Sequence, residues 1–270
     1  RASRGLIVVV HGYCEHRVRY RHVAQHLVEQ GYAVLVGDLR GHGESSGERG
    51  FIRRFSEYVD DVSAFLSEAL SLYLPPTGTS GERPTADVDA PQRPILLGHS
   101  LGGLIALEYV LANPASVRAL ALSSPFLGIK VHVPAWKRGA GLVASLLHPT
   151  LRLPNGLDAR DISHDPDIVN QYATDPMITH DATARWFTEI TSAHADIRAR
   201  ANRVRTPSLF LQAGDDRIVD ANATQEVFSR LGATDKTLNV YPGLFHEIFN
   251  ERPADRQRVL ADLTNWLNER

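Results

Sequence analysis

Cysteine and long apolar runs are the scarcest features of this 270-residue chain. The single cysteine, Cys14, excludes an internal disulfide and removes most thiolate patterns that bind metals. The chain has no run of about 18 or more consecutive apolar residues, which excludes a membrane-spanning helix. An excess of one charge is also missing, because 29 basic and 31 acidic residues give a net charge of −2. Nucleic acid is therefore not an expected partner.

Short apolar segments rich in β-branched residues alternate with helix-like segments along the chain. Apolar strands without polar alternation are typical of a parallel sheet that is buried on both faces. The pattern predicts an α/β fold, a mostly parallel sheet flanked by helices. The predicted strands are 6–10, 33–36, 95–97, 119–122, 208–211 and 238–241, and the predicted helices are 20–29, 56–74, 101–112, 221–231 and 254–268.

Two segments interrupt this alternation. Residues 75–94 are rich in Pro, Gly, Thr and Asp, and they predict a long, mobile surface loop. Residues 125–205 separate two predicted strands and look helical, with no strand of their own. We therefore expect a core formed by 1–124 and 206–270, and a helical lid formed by 125–205 over the carboxyl edge of the sheet.

A candidate nucleophile lies where a predicted strand turns directly into a predicted helix. Residues 98–102 read Gly-His-Ser-Leu-Gly and match the pattern G-x-S-x-G. In a nucleophile elbow the two glycines permit a sharp turn, so the serine hydroxyl projects above the sheet at the helix N-terminus. An ordinary capping serine in a Gly-rich turn is the alternative. The flanking strand and helix favour Ser100 as a nucleophile.

A serine nucleophile needs a base to remove its proton and an acid to orient that base. After a nucleophile elbow, the acid and then the histidine follow along the chain. Asp215 and Asp216 follow the predicted strand 208–211, and His246 follows the last predicted strand. We predict that His246 is the general base. Position alone leaves both aspartates open as the acid.

Attack on a carbonyl also needs about two preorganised N–H donors for the negative oxygen. The backbone N–H of Leu101, directly after Ser100, is the first candidate. The second is the N–H of Tyr13 in the loop after the first strand, where Gly12 permits the backbone to turn. Cys14 lies near this predicted oxyanion hole and has no assigned role.

These motifs together resemble the monoacylglycerol lipase and lysophospholipase branch of the α/β hydrolases, which is also grouped with the serine aminopeptidases. The resemblance implies the α/β-hydrolase fold, with a helical lid inserted between two core strands. In that family the catalytic aspartate precedes Arg in a D-R-x-x-D segment, which favours Asp216 over Asp215. The resemblance covers nearly the whole chain and rests on residues 11–16, 19–20, 31–32, 38–45, 98–103, 122–125, 216–220 and 243–247, with cap-like segments at 157–158, 164–166 and 172–176.

The resemblance implies a serine esterase or lipase that hydrolyses monoacylglycerols or lysophospholipid-like esters through an acyl-enzyme. It assigns this chemistry to Ser100, His246 and Asp216, with no metal and no organic cofactor. The alternative is an aminopeptidase or amidase of the proline iminopeptidase type, which needs acidic lid groups to hold a free amine. Candidates for that role are Asp158, Asp161 and Glu189. A non-catalytic binding protein is more remote, because such a protein is expected to have lost a member of the triad.

Charged residues near the predicted oxyanion hole suggest a supporting scaffold. We expect the charges of Glu15, Arg19, Asp38 and Arg40 to form a buried or half-buried polar scaffold that holds the loop after the first strand. A role in the chemistry itself is not expected for them.

The lid segment is unusually apolar, and we expect most of its side chains to pack within the lid and on the sheet. The candidates to line an acyl-chain site are Phe126, Trp136, Leu142 and Leu146. Basic residues beside Trp136 would suit transient contact with a membrane or micelle surface; they are Lys130, Lys137 and Arg138. The expected partner is a small amphiphilic ester, and the expected location is cytoplasmic and peripheral to membranes.

Overall fold

The computed structural model describes residues 3–74, 93–130 and 135–270, with the side chains of 135–138 excepted. The described strands are β1 (Leu6–Val10), β2 (Ala33–Gly37), β3 (Ile95–His99), β4 (Ala119–Ser123), β5 (Arg152–Pro154), β6 (Asp181–Thr183), β7 (Ser208–Ala213) and β8 (Lys236–Tyr241). All but β5 and β6 form one parallel sheet in the order β2-β1-β3-β4-β7-β8. Residues 75–92 of the predicted loop 75–94 lie outside the described residues.

Helices cover both faces of this sheet. The described α-helices are α1 (Arg21–Glu29), α2 (Ser56–Tyr73), α3 (Leu101–Ala112), α4 (Ala135–Leu147), α5 (Pro166–Thr174), α6 (Ala184–Arg200), α7 (Ala221–Arg230) and α8 (Pro253–Asn268). Helices α1 and α8 pack on one face, and α2, α3, α6 and α7 pack on the other. In the described part of the chain, no helix combines the length and the apolar character needed to cross a bilayer.

The strands are apolar throughout because each of their faces meets a layer of helices. In β1, Val8 and Val10 belong to the core cluster under α2 and α3, whereas Ile7 and Val9 belong to the cluster under α1 and α8. Burying a side chain of this size contributes about 1.5–3 kcal/mol. The prediction of a mostly parallel sheet flanked by helices is confirmed.

The predicted bounds of the elements agree with the observed ones in some cases and differ in others. The bounds of β1 and α3 agree with the predicted ones. The strand β7 continues two residues past the predicted end, since Gln212 pairs with Val240 and Ala213 with Tyr241 in β8. The polar Gln212 ended the apolar run in the sequence. It is nevertheless fully buried in the sheet.

The expectation that residues 125–205 contain no strand was wrong. Strands β5 and β6 pair antiparallel, with Arg152 opposite Thr183 and Pro154 opposite Asp181. Strands of three residues are too short to show a period of two in the sequence. The last helix of this segment, α6, also contributes to the main core, because residues such as Ile190 pack in the same cluster as α3.

Candidate active site

Ser100 lies at a sharp turn between β3 and α3. Its φ of 51° and ψ of −117° place a non-glycine residue in a region of backbone space that side chains rarely adopt. The neighbouring glycines are required by close contacts. A Cβ atom on Gly98 would lie 2.5 Å from the Gly102 carbonyl oxygen, and one on Gly102 would lie 2.1 Å from the Val10 oxygen. The geometry expected of a nucleophile elbow is therefore present.

His246 and Asp216 meet at the carboxyl edge of the sheet, although they are 30 residues apart in the chain. The Nδ1 atom of His246 lies 2.8 Å from Oδ2 of Asp216. The other oxygen of Asp216 accepts the backbone N–H groups of Ile218 and Val219, each at 2.9 Å. Asp215 is exposed instead. Of the two candidate acids, it is Asp216 that contacts the imidazole.

The charges of this pair support each other. Burial opposes the imidazolium, but the charge and hydrogen bond of Asp216, with the charge of Glu247, outweigh it and raise the pKa of His246. Burial also opposes the Asp216 carboxylate, but His246 and the two backbone N–H groups lower its pKa. A proton taken up by His246 therefore stays on the imidazole rather than passing to Asp216, as the base in a serine hydrolase requires.

A second histidine, His99, is buried beside Ser100 and was not singled out from the sequence. Its ring centre lies 4.9 Å from that of His246, and its Nδ1 atom lies 3.2 Å from the Ser123 hydroxyl. Burial lowers the pKa of His99, and the nearby His246 lowers it further, although Glu15 acts in the opposite direction. His99 is therefore neutral and adds no positive charge next to His246.

The loop after β1 packs directly against Ser100. A Cβ atom on Gly12 would lie 3.1 Å from the Ser100 Cβ and 2.7 Å from Oε1 of Glu15, so only glycine fits. Among the described residues, no protein acceptor is bonded to the backbone N–H of Tyr13 or of Leu101. Both groups are thus available to a negative oxygen at Ser100.

Buried charges connect this loop to the loop that carries His246. The Arg19 side chain contacts Glu15 on one side (3.3 Å) and Glu247 on the other (2.5 Å). Glu15 in turn accepts the Gly12 N–H at 2.5 Å and the Tyr20 hydroxyl at 2.6 Å. This half of the expected scaffold is present.

Asp38 and Arg40, the other members of the expected scaffold, contact different parts of the fold. Asp38 contacts Arg17, and Arg40 extends to Asp61 on α2 at 2.7 Å. Asp38 also accepts the backbone N–H of Arg17 at 2.7 Å, so it contacts the segment after β1, whereas Arg40 contacts α2.

Side chains of the loop after β1 also contact the inserted segment. The Tyr13 ring stacks on Trp186 of α6 with the ring centres 3.8 Å apart. Three hydrogen bonds join the two segments: Tyr13 Oη to the Asp181 carbonyl (2.6 Å), Asn155 Nδ2 to Cys14 Sγ (3.1 Å) and His16 Nε2 to Asp175 Oδ2 (2.8 Å).

The buried thiol of Cys14 has a raised pKa because burial disfavours the thiolate. Cys14 is therefore protonated and packs between the two segments.

The predicted acyl-chain residues lie in different environments. Phe126 is half-buried, and its backbone N–H donates to the Ser100 carbonyl at 2.9 Å. On α4, Leu142 is 58% exposed and Leu146 is 73% exposed, so the expected packing of this helix within the lid is not observed for them. The side chain of Trp136 lies outside the described residues, as do those of Lys137 and Arg138.

Metal-binding clusters and clefts away from Ser100 offer no alternative site in the described residues. No cluster of three or more His, Cys, Asp or Glu side chains in the described ranges is arranged to hold a metal ion. A cleft of about 420 Å³ lies between α2 and the loop after β2, and its charged walls include Asp38, Arg40, Glu57 and Asp61. It contains neither Ser100 nor His246, and its ion-paired walls do not suit an acyl chain.

Comparison with known proteins extends over almost all of the chain. Residues 1–253 match the family described as serine aminopeptidase, S33. The chain is 33% identical to a monoacylglycerol lipase of Mycolicibacterium smegmatis over 266 residues, which cover 98% of this chain and 88% of that protein. It is 32% identical to phospholipase YtpA of Bacillus subtilis, over 91% of this chain and 89% of that protein.

Solved structures show the same architecture. The monoacylglycerol lipase of Paleococcus ferrophilus superposes with a TM-score of 0.84 at 28% identity, covering 98% of this chain and 95% of that one. A yeast monoglyceride lipase in complex with a substrate analogue superposes with a TM-score of 0.83 at 22% identity, covering 100% of this chain and 87% of that one. The predicted α/β-hydrolase fold is thereby confirmed.

Proposed function

The chain belongs to the serine aminopeptidase S33 family, and from this membership we propose that it hydrolyses carboxylic esters of the monoacylglycerol or lysophospholipid type. The resemblance found in the sequence is confirmed by the relatives, which are a monoacylglycerol lipase and a phospholipase. The observation that carries the proposal is the strained turn at Ser100 on the same edge of the sheet as the bonded pair of His246 and Asp216.

The proposed reaction begins when Ser100 Oγ attacks the acyl carbonyl carbon while His246 Nε2 takes its proton. The backbone N–H groups of Tyr13 and Leu101 hold the oxyanion of the tetrahedral intermediate. A single donor of this kind contributes about 3–4 kcal/mol to such reactions. When the intermediate collapses, His246 returns the proton to the departing alcohol and an acyl-enzyme remains.

In the second half of the reaction His246 removes a proton from a water molecule, and the resulting hydroxide attacks the acyl carbonyl. Collapse then releases the fatty acid and returns the proton to Ser100. Asp216 accepts the Nδ1–H of His246 throughout, which leaves Nε2 as the nitrogen that acts as the base. No metal or organic cofactor is needed for any step.

The aminopeptidase alternative is disfavoured by the charges of the inserted segment. An amine-binding site needs a carboxylate that is not already paired. Each of the three acidic candidates contacts an arginine: Asp158 contacts Arg160 (2.5 Å), Asp161 contacts Arg217 (3.1 Å) and Glu189 contacts Arg185 (3.6 Å). We therefore expect ester hydrolysis to dominate.

The substrate class is tested by comparing glyceryl esters of increasing acyl length with aminoacyl arylamides on the purified protein. The proposal predicts turnover of monoacylglycerols or lysophospholipids and little release of arylamine. Efficient cleavage of aminoacyl arylamides, with no ester turnover, would establish the aminopeptidase instead.

We also propose that α4 meets lipid surfaces, as a peripheral contact of a cytoplasmic protein. Four of its apolar side chains are more than half exposed: Leu142, Val143, Leu146 and Leu147. Exposed leucines grouped on one helix are typical of interfacial contact. Such contact would bring an amphiphilic ester from a membrane or micelle to the carboxyl edge of the sheet.

A further inference from the structure

We propose that Glu251 is a positioning residue for His246, and that residues 162–164 form a fixed support for the histidine loop. The proposal rests on the function proposed above, because it assigns His246 as the base. It differs from the expected picture of residues 125–205 as a cover, since this short part of the segment is tied to the machinery beneath it.

Glu251 is a buried carboxylate that holds the residue before His246. Its side chain is only 1% exposed. Its Oε1 atom accepts the backbone N–H of Phe245 at 2.7 Å and lies 2.9 Å from Nδ1 of His164, while Oε2 accepts the His164 backbone N–H at 3.0 Å. A carboxylate can only accept, so Nδ1 of His164 carries a proton. Three donors therefore fix one carboxylate and, through it, the backbone of Phe245.

The Phe245 ring is also fixed by packing, because it lies between two side chains. On one side the His164 ring stacks on it, with centres 3.6 Å apart and planes at 28°. On the other side the guanidinium carbon of Arg217 lies 4.1 Å from its centre. Arg217 directly follows Asp216, and Phe245 directly precedes His246. The stack therefore connects the backbone segments that carry the acid and the base.

Backbone contacts extend the same support past His246. The N–H of Glu247 donates to the Ile162 carbonyl at 2.8 Å, and the Ser163 hydroxyl donates to the Asn250 carbonyl at 2.8 Å. Both Ile162 and Ser163 are buried. The histidine loop is thus bonded to residues 162–164 after His246 and, through Glu251, before it.

The decisive variant is Glu251→Gln. Both oxygens of Glu251 accept N–H donors, so an amide would place its NH2 group against one of them and loosen Phe245. We expect kcat for a soluble ester to fall about tenfold while KM stays within about twofold, because small misplacement of a catalytic group affects the chemical step. The low-field proton NMR signal of the His246 Nδ1–H should shift or broaden.

Two further variants make the result interpretable. Glu108→Gln is the matched control, since Glu108 is also buried, lies on α3 about two turns after Ser100, and is paired with Arg200 at 2.9 Å. We expect it to lower stability without changing kcat. His164→Phe keeps a ring on Phe245 and removes only the Nδ1 donor, so kcat should fall by about threefold, less than in Glu251→Gln.

Rates are normalised to the folded fraction from circular dichroism. If Glu251→Gln does not fold, His164→Phe decides the question by the same split between kcat and KM. An unchanged kcat in the folded variants, with the low-field signal in its wild-type position, overturns the proposal. Failure of the proposed function is separate, because it would appear as absent ester turnover in the wild-type protein.

Discussion

At the scale of single residues, the proposed reaction depends on the charge state of His246, the base for Ser100. A general base must be unprotonated, so activity is lost as pH falls through the pKa of His246. Asp216 and Glu247 raise that pKa above its ordinary value of 6.5. The acid limb of kcat/KM against pH should therefore have its midpoint above 6.5. A midpoint at or below that pH would contradict the prediction, because it would mean that burial outweighs these carboxylates.

The adjacent aspartates give a second prediction at this scale. Asp216→Asn keeps the shape of the side chain but removes the carboxylate that orients His246, and we expect kcat to fall about 10⁴-fold. Asp215→Asn is the matched control, since Asp215 is exposed and makes no side-chain contact with the imidazole in the described structure. Its kcat should change by less than about twofold. Steady-state hydrolysis of a soluble ester measures both, and equal losses would refute the assignment.

At the scale of elements, the loop after β1 depends on its contacts with β6 and α6. Tyr13→Phe keeps the stack on Trp186 and removes the hydrogen bond to the Asp181 carbonyl. We expect a loss of about 1 kcal/mol in the free energy of unfolding. The melting temperature should fall by about 2–4 °C. Tyr73→Phe, at the end of α2, is the control and should leave stability nearly unchanged; equal shifts in both variants would contradict the prediction.

The exposed face of α4 leads to a prediction about lipid surfaces. Leu146→Glu replaces an apolar side chain that is 73% exposed and should weaken binding to liposomes about tenfold, the equivalent of one buried leucine. Hydrolysis of a soluble ester should keep its wild-type rate. Leu72→Glu on α2 is the matched control, because Leu72 is equally exposed at 73%. Co-sedimentation that falls equally in both variants, or in neither, would contradict interfacial contact through α4.

The elements also show what the sequence could predict. The strands of the parallel sheet were predictable because they form continuous apolar runs that alternate with helix-like segments along the chain. The strands β5 and β6 were not, since three residues carry no periodic signal. The exposure of Leu142 and Leu146 was not predictable either, because an apolar residue on a helix is equally compatible with a core position and an uncovered one.

At the scale of the whole molecule, the parallel sheet gathers the site. The strands β1, β3, β7 and β8 are parallel, so the loops after them meet at one edge whatever their order in the chain. This rule made the placement of Ser100, Asp216 and His246 at one edge of the sheet predictable from their positions after strands. The support of His246 by Glu251 and His164 follows no such rule. Those two residues are 87 positions apart, and only the packing of the inserted segment brings them together.

The proposed function depends above all on Ser100 being an activated nucleophile. Reaction of the folded protein with a fluorophosphonate, followed by peptide mass spectrometry to locate the adduct, tests this assignment. We predict a single adduct on the peptide that contains Ser100, and loss of both the adduct and ester hydrolysis in a folded Ser100→Ala variant. Ester turnover that persists in Ser100→Ala, or an adduct on another residue, would contradict the claim.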